Sequence, residues 1–327
     1  TEAGLKYFVL GGIISCVLLL GFSLVYLTFG TTSFEYLTCL SLVSTDMFFL
    51  GIFFILIALL FKVGAAPFHP WLCDVYDGSL TSVTLLFASA PKIIIFTIII
   101  KLFLFTFIEF SSLWLPFFLF ASVLSITIGS ISAIYQKRMK RLFAYSTISH
   151  TGFILFGIVC MSVNSVGALI FYIIIYSGLT VLLFSLLIFS MVTQSNFPAF
   201  IANWTSSGLR NYVFVMSFTF VLFSIAGIPP LAGFFSKLMI ILSLISQEYY
   251  LVSLIVVIIS SVACFYYIRL IKTFFFVKTS KNNLWISITK RQNSEFCIGL
   301  LLFLNLAFCF FPDFLALISI ALSLILF

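Results

Sequence analysis

Long apolar stretches with little or no charge recur along the whole chain of 327 residues. An α-helix needs roughly 20 apolar residues to cross the hydrocarbon core of a bilayer, and several of these stretches exceed that length. The alternation of polar and apolar residues that marks the strands of a membrane barrel is absent from them. With 63% hydrophobic and 8% charged residues, the chain has too little polar surface to cover a soluble globule. The sequence therefore predicts an all-α, polytopic membrane protein.

The apolar stretches, bounded by polar residues, proline or glycine, predict about nine membrane helices in a single membrane domain, residues 1–327. The predicted spans are Tyr7–Phe29, Met47–Trp71, Leu80–Phe107, Leu113–Tyr135, Lys140–Met161, Ser165–Val192, Asn211–Leu244, Tyr249–Phe275 and Glu295–Phe311. Pro312 and Asp313 then lead into an apolar tail that is too short to be assigned as a span.

Two of the predicted helices carry glycine and proline near mid-length. The second contains Gly64 and Pro67, and the seventh contains Gly227, Pro229 and Pro230. Proline lacks an amide hydrogen and clashes with the preceding turn, so each helix should break there. Broken helices at bilayer depth are tolerated only where protein or a water-filled cavity surrounds them. The two breaks therefore predict an interior site between discontinuous helices, as in transporters.

Basic residues cluster on one side of the predicted membrane. If each broken helix crosses the membrane once, 12 of the 16 lysines and arginines fall on the same side. They are Lys6, Lys137, Arg138, Lys140, Arg141, Arg210, Arg269, Lys272, Lys278, Lys281, Lys290 and Arg291. Reading either broken helix as a hairpin would scatter them over both faces, so we prefer the single crossing and assign this face to the matrix or cytoplasm. The net charge of +7 then reflects topology, and no nucleic-acid partner is expected.

Three other lysines fall near the centre of predicted helices. Lys62 shortly precedes the first break, Lys92 lies about 12 residues into the third helix, and Lys237 follows the second break. A charged lysine at the bilayer centre costs about 3 kcal/mol on insertion scales, so it needs a partner, water or loss of its proton. Burial favours the neutral amine, which lets such a lysine accept and release a proton. The alternative is that each lysine pairs with a carboxylate or with carbonyl groups and only holds the bundle together.

Two histidines and a fourth lysine have less specific positions. His150 follows the hydroxyl-rich run 146–149 in the fifth helix, where hydroxyl groups could order water beside a side chain that titrates near neutral pH. A proton relay and a satisfied core histidine both fit this position. His69, beside the first break, is interpreted as a supporting residue that makes a structural hydrogen bond. Lys101, near Glu109 towards the end of its helix, is interpreted as interfacial.

The seven cysteines are scattered singly, without a CxxC pair or the Cys/His spacing of zinc and iron–sulfur sites. We therefore expect no metal site in this chain. The 44 phenylalanines are an unusual number for its length and are what an AT-rich coding sequence would give, which favours an organellar genome.

Five segments together resemble the subunit 2 family of respiratory complex I, the proton-pumping NADH:ubiquinone oxidoreductase. They are KYF (Lys6–Phe8), KVGAAPFHPWLCDVYDGS (Lys62–Ser79), SAPK (Ser89–Lys92), KRLFAYSTISHTGF (Lys140–Phe153) and GIPPLAGFFSK (Gly227–Lys237). Their order and spacing agree over nearly the whole chain. The related antiporter-like subunits 4 and 5 share the broken helices, but the DVYDGS stretch and a lysine instead of glutamate at position 237 favour subunit 2.

The resemblance implies a proton-translocating, multi-pass subunit of the mitochondrial inner membrane, with Lys62, Lys92, Lys237 and His150 on the proton path. It implies no cofactor in this chain, because NADH, FMN, the iron–sulfur clusters and ubiquinone belong to other subunits. The implied partners are antiporter-like subunit 4, the small subunit 4L and membrane lipids. Two alternatives remain, namely a subunit of a cation/proton antiporter and a structural membrane-arm subunit whose lysines do not titrate.

The chain departs from the family in the region before the KYF segment, where family members carry further helices. One of those helices bears a membrane glutamate that partners the first lysine, whereas Glu2 matches the loop acid just ahead of KYF. The chain thus corresponds to the C-terminal portion of the antiporter-like fold, and we expect a separate polypeptide to supply the upstream helices.

Overall fold

The computed structural model describes residues 1–31, 33–39, 46–193, 200–204, 212–275 and 312–326, together with six positions between 298 and 308. Within these ranges the regular secondary structure is helical, apart from one isolated bridge between Arg138 and Phe200. The α-helices are α1 Glu2–Phe29, α2 Phe34–Cys39, α3 Asp46–Val63, α4 Pro70–Gly78, α5 Thr81–Ile99, α6 Ser111–Tyr135, α7 Met139–Val159, α8 Val163–Thr193, α9 Tyr212–Ala226, α10 Ala232–Ser246, α11 Tyr250–Phe275 and α12 Pro312–Leu326. A π-helical segment, Ile100–Thr106, continues α5.

The predicted multi-pass helical architecture is confirmed. In the described part of the chain, seven helical runs are long and apolar enough to cross a membrane. They correspond to the first six predicted spans and the eighth. The predicted seventh span is divided into α9 and α10, each of 15 residues. Eleven of the 17 positions of the predicted ninth span, 295–311, lie outside the described residues, and the apolar tail after it forms α12.

The first predicted break is present, and glycine rather than proline ends the helix. α3 stops before Gly64, whose φ is +77°, a left-handed conformation that suits glycine. The amides of Gly64 and Ala65 donate to the Leu60 carbonyl at 3.1 and 3.0 Å, the usual arrangement at a helix stop. The bond between Ala66 and Pro67 is cis. The chain then turns into α4, so Pro67 lies in the connection and not inside a helix.

The second break repeats this local structure. α9 stops before Gly227, whose φ is +83°. The amides of Gly227 and Ile228 both donate to the Phe223 carbonyl at 3.1 Å. The bond between Pro229 and Pro230 is cis. Both helices therefore end in the same way: a glycine in the left-handed conformation, two amides that donate to a carbonyl of the last turn, and a connection that contains proline.

Ion pairs gather three helix ends at one face. Lys6 of α1 lies 2.8 Å from Asp74 of α4, and Arg141 of α7 lies 3.3 Å from Asp74 and 3.0 Å from Asp77. Arg138 also pairs with Asp77, at 2.5 Å. We call the face that holds these five residues the basic face. The run 136–141, interpreted from sequence as a topological anchor, thus also fixes the acidic end of α4.

Aromatic contacts define the opposite face. The ring of Phe48, at the start of α3, lies 4.8 Å from Phe29 at the end of α1 and 4.8 Å from Phe110 just before α6. α3 therefore begins at the opposite face, and α4 ends at the basic face. The first broken helix crosses once, as the charge pattern predicts.

The second broken helix also crosses once. Phe218 of α9 lies 5.2 Å from Phe274, near the end of α11, and the neighbouring Arg269 donates to the Ile134 carbonyl at the end of α6. At its other end, Ser243 of α10 lies 3.7 Å from Cys160, just after α7. Five of the basic residues assigned to the basic face lie outside the described residues, namely Arg210, Lys278, Lys281, Lys290 and Arg291.

α7 occupies the centre of the bundle. Of its 21 residues 18 are buried, against three of 28 in α1. Burial without exposed sides is expected of a helix surrounded by others. The fold therefore places the segment that carries His150 at the core, and α1 at the periphery.

The approach of α10 to the end of α9 depends on Gly233. A Cβ at this position would lie 1.8 Å from the Ser224 carbonyl oxygen. We expect Gly233→Ala to destabilise the folded protein by an amount at the upper end of the about 1–3 kcal/mol typical of overpacking. The measurement is the midpoint of thermal unfolding. Gly178→Ala is the control, since nothing lies within 4 Å of a Cβ there. Equal midpoints would contradict the close approach.

Candidate functional site

Lys92 lies inside the bundle on α5, with 4% of its surface exposed. Its Nζ is 3.3 Å from the Tyr176 hydroxyl, 3.5 Å from the Thr147 carbonyl oxygen and 5.3 Å from the centre of the Tyr176 ring. These distances are long for bonds donated by an ammonium group. Among the described residues no carboxylate pairs with it. The predicted burial of Lys92 is confirmed, and ion pairing among the described residues does not account for it.

Lys237 is buried beside the second break, with 7% of its surface exposed. Its Nζ donates to the Ala226 carbonyl at 2.6 Å and lies 5.5 Å from the centre of the Phe153 ring. Ala226 is the last residue of α9, and the last carbonyls of a helix lack intrahelical amide partners and carry partial negative charge. The break therefore supplies the acceptor that holds this ammonium group.

His150 has a tyrosine hydroxyl at each ring nitrogen. Nδ1 lies 2.7 Å from the Tyr172 hydroxyl, and Nε2 lies 3.4 Å from the Tyr267 hydroxyl. The ring centre is 5.0 Å from that of Tyr176, the tyrosine that contacts Lys92. A neutral imidazole has one donor and one acceptor nitrogen, so the two hydroxyls must take opposite roles.

A small cavity lies between His150 and Lys237. His150, Tyr172, Tyr176, Ser236 and Lys237 are its polar lining residues, and its volume is about 10 Å³. That is the lower limit for a single water molecule. Lys237 and His150 therefore face the same enclosed space. The hydroxyls of the run 146–149 instead donate to carbonyls three residues earlier in α7, which leaves only their lone pairs to accept.

Lys62 differs from the other two lysines, because it is only half-buried and the structure does not enclose it. It lines an apolar crevice of about 850 Å³ between α1, α3, α4 and α5, which Lys92 also lines. Within the described ranges its amine has no hydrogen bond or ion pair. The carbonyl of the preceding Phe61 accepts from the Trp71 indole at 3.1 Å and from the Gly64 amide at 2.9 Å. Lys62 is thus less buried in this chain than Lys92 and Lys237.

The two remaining predicted positions lie outside the buried cluster. Lys101 is exposed, and no ion pair joins it to Glu109 in the part of the chain that the structure describes, so its interfacial position stays a prediction. The His69 ring interacts with the Pro67 backbone and lies 6.3 Å from the Tyr145 ring, but its Nδ1 is buried without a hydrogen-bond partner among the described residues. The structural hydrogen bond favoured by the sequence is therefore not seen at that atom.

The sequence reasoning missed a cluster of buried tyrosines around Lys92 and His150. Tyr76, Tyr172, Tyr176, Tyr266 and Tyr267 are each at most 5% exposed. One signal could have found two of them, since Tyr172 and Tyr176 are four residues apart and so share one face of a helix. The other three come from α4 and α11, and no spacing in the sequence places them beside α8.

Comparisons with known proteins agree on one family. The sequence profile described as "NADH:quinone oxidoreductase/Mrp antiporter, TM" matches residues 1–265. The chain is 37% identical over 284 residues to NADH-ubiquinone oxidoreductase chain 2 of Marchantia polymorpha, covering 84% of this chain and 57% of that protein. It is 38% identical over 291 residues to NADH-quinone oxidoreductase subunit N of Pelagibacter ubique, covering 88% and 62%. It thus spans about three fifths of the length of these curated relatives.

Solved structures show the same fold. A chain of respiratory complex I from Thermus thermophilus superposes with a TM-score of 0.80 at 25% identity, covering 97% of this chain and 68% of that one. A chain of the Mrp complex from Dietzia sp. superposes with a TM-score of 0.87 at 19% identity, covering 98% and 67%. The latter likeness concerns the fold alone.

The hydrogen bond between Tyr172 and His150 should contribute to the stability of the folded protein. Tyr172→Phe removes the hydroxyl that contacts Nδ1 and leaves a buried ring nitrogen without a partner, which should cost about 1–3 kcal/mol of unfolding free energy. The measurement is again the thermal unfolding midpoint. Tyr135→Phe is the control, because Tyr135 is 77% exposed. If both variants kept the parental midpoint, the Nδ1 contact would have no structural weight.

Proposed function

Because the chain belongs to the NADH:quinone oxidoreductase/Mrp antiporter transmembrane family, we propose that it translocates protons as a membrane-arm subunit of an NADH:quinone oxidoreductase. The relatives that bear this name are 37% and 38% identical to the chain, whereas the Mrp chain is 19% identical. Sequence identity therefore favours the respiratory complex over a cation/proton antiporter. The observation that carries the proposal is the buried row of Lys92, His150 and Lys237, joined by tyrosine hydroxyls and a cavity.

The first transfer in this row runs from Lys92 towards His150. The Lys92 amine contacts the Tyr176 hydroxyl at 3.3 Å, and the Tyr176 ring lies against the imidazole at 5.0 Å between ring centres. A buried amine without a carboxylate partner changes charge more readily than a paired one, since no opposite charge stabilises the ammonium form. Lys92 thus stores a proton beside the Tyr176 hydroxyl, and a water molecule in the small cavity that Tyr176 and His150 both line carries it to the imidazole.

The second transfer crosses His150. A proton accepted at one ring nitrogen and released from the other moves by the width of the ring, and the hydroxyls of Tyr172 and Tyr267 exchange donor and acceptor roles as it does so. Beyond the ring, the small cavity shared with Lys237 has room for about one water molecule. Lys237 receives the proton there and is held as ammonium by the Ala226 carbonyl.

In this proposal the chain itself transfers no electrons and binds no cofactor, and NADH, FMN, iron–sulfur clusters and ubiquinone belong to other subunits. The partners are the other membrane-arm subunits, including antiporter-like subunit 4 and the small subunit 4L. The membrane is the mitochondrial inner membrane, with the basic face towards the matrix, as the positive-inside rule and the phenylalanine-rich composition favour.

We also infer what covers Lys62. Three observations support further helices packed at this place, one of which brings a carboxylate: a half-buried amine without a partner among the described residues, a crevice of about 850 Å³ beside it, and an α1 in which only Ile14, Gly21 and Val25 are buried. A carboxylate would pair with the amine in a setting where an unpaired charge is costly. The relatives are long enough to hold such helices, since the chain covers 57% and 62% of their lengths.

The proposed function predicts that Lys92→Ala lowers proton transfer through this chain by on the order of 100-fold, the lower end of what a positioned proton-transfer group contributes. The measurement is the initial rate of NADH-driven proton pumping into sealed vesicles that hold the assembled complex. Lys101→Ala is the matched control, because Lys101 lies on the same helical run but is exposed. Normal pumping by Lys92→Ala would favour a structural role for the lysine.

The covering helices are tested separately. A photo-crosslinking amino acid at Ser15, which lines the crevice, should attach to an apolar helical segment that contains Asp or Glu. Peptide mass spectrometry of the assembled complex identifies the product. The same amino acid at Leu251, which is 80% exposed on α11, serves as the comparison and should give a different product. Attachment to lipid alone at Ser15 would overturn this inference and leave the proton-transfer proposal intact.

A further inference from the structure

The second break leaves two carbonyls of α9 without partners from their own helix. In a continuous helix the carbonyls of Ile225 and Ala226 would accept from the amides four positions later, at 229 and 230. Both of those residues are proline, which has no amide hydrogen. A carbonyl oxygen has two lone pairs, and in the interior of the bundle they need donors. The prolines therefore open these carbonyls to side chains of neighbouring helices.

Two side chains meet at the Ala226 carbonyl. The Lys237 amine donates to it at 2.6 Å, and the Cys264 thiol of α11 donates to it at 3.6 Å between sulfur and oxygen. The bond from the amine is charge-assisted when the amine is protonated, whereas a thiol is a weak donor. The two donors therefore share one acceptor oxygen.

Cys264 lies on the side of α11 that faces the buried row. Tyr267, three residues further along, shares this side of the helix and lies 3.4 Å from His150 Nε2. Phe265 and Ile268, on the other side of α11, are exposed. One helix thus contacts both partners of the second transfer, His150 through Tyr267 and the carbonyl that holds Lys237 through Cys264.

A shared acceptor oxygen binds each of its donors less strongly than it would bind one alone. The hydrogens of both donors carry partial positive charge, so they repel each other and draw on the same negative charge of the oxygen. The ammonium form of Lys237 depends on this oxygen more than the neutral amine does, because a charged donor bonds roughly twice as strongly. The Cys264 thiol is uncharged and donates in both states of the lysine. It therefore weakens the hold on the ammonium form and keeps the carbonyl paired when the amine is neutral.

We propose that Cys264 is a positioning residue for proton transfer through Lys237, because its thiol limits how strongly the Ala226 carbonyl holds the ammonium group. This inference rests on the proposed function and deepens it. No bond to sulfur breaks, since the thiol keeps its hydrogen and only the Lys237 amine gains and loses a proton. Without the thiol, both lone pairs of the carbonyl are available to the ammonium group, and Lys237 passes its proton on more slowly.

Two variants test the role of Cys264 in proton transfer. Cys264→Ala and Cys264→Val both lack a donor, and they change the side-chain volume in opposite directions. Each should lower the initial rate of NADH-driven proton pumping into sealed vesicles that hold the assembled complex. The expected decrease is about 2- to 10-fold, the equivalent of one hydrogen bond. Cys160→Ala is the matched control and should keep the parental rate, because Cys160 is another free cysteine of the bundle and its thiol contacts Ser243.

The infrared S–H stretching band reports the hydrogen bond itself. In each background, the difference between the spectra of the assembled complex with Cys264 and with Cys264→Ala isolates the band of this thiol. Lys237→Met removes the competing donor, so the bond from the thiol to the Ala226 carbonyl should strengthen and the band should move to lower wavenumber. Lys62→Met is the control and should leave the band in place, because Lys62 lies beside the other break. A thiol that only fills space would give the same band in all three backgrounds.

Three results would overturn the proposal. Parental pumping by both Cys264 variants would show that the thiol does not limit the transfer. A lower rate in only one of them would assign Cys264 a packing role. An S–H band that Lys237→Met does not move would show that the two donors do not compete for the oxygen.

The Lys92→Ala measurement separates these failures from a failure of the proposed function. Normal pumping by Lys92→Ala refutes proton transfer through the row, and the infrared band still reports whether the thiol and the lysine share the carbonyl. Lost pumping by Lys92→Ala with parental pumping by both Cys264 variants refutes only the role of Cys264.

Discussion

The site depends on helices that end inside the bundle. The last carbonyls of a helix have no intrahelical amide partner, and in an apolar interior they need another donor. At the end of α9 that donor is the Lys237 amine, whereas at the end of α3 the Phe61 carbonyl accepts from the Trp71 indole and the Gly64 amide. The second break thus creates a local negative potential that favours a cation. A continuous helix at either place would offer no free carbonyl to a lysine.

The two breaks share a backbone and differ in their surroundings. Both use a left-handed glycine followed by a cis proline bond. Lys237 is enclosed by protein on every side, whereas Lys62 faces a crevice that Lys92 also lines. An enclosed amine such as that of Lys237 exchanges protons only with the groups around it. The amine of Lys62 is accessible from the crevice, so a neighbouring protein that packs there can change its charge.

Between the breaks, α7 carries the polar groups that connect the lysines. A polar group in a low-dielectric interior interacts strongly with its neighbours and is costly when left unpaired. His150 meets this requirement with hydroxyls from α8 and α11, and Lys92 with a hydroxyl from α8 and a carbonyl of α7. Four helices thus hold one network, and a shift in any of them changes the distances along it.

The sequence by itself determined the membrane helices and the two breaks, because apolar length, glycine and proline act locally. It also determined the single crossings, because basic residues collect on one side of a membrane, and the burial of Lys92 and Lys237. It did not determine the exposure of Lys62, which depends on what packs against α1. It also missed Tyr76, Tyr266 and Tyr267, since these residues reach the site from helices far apart in the chain. Only the tertiary structure decides which side chains from distant helices come into contact, because these contacts follow from helix packing and not from spacing along one helix.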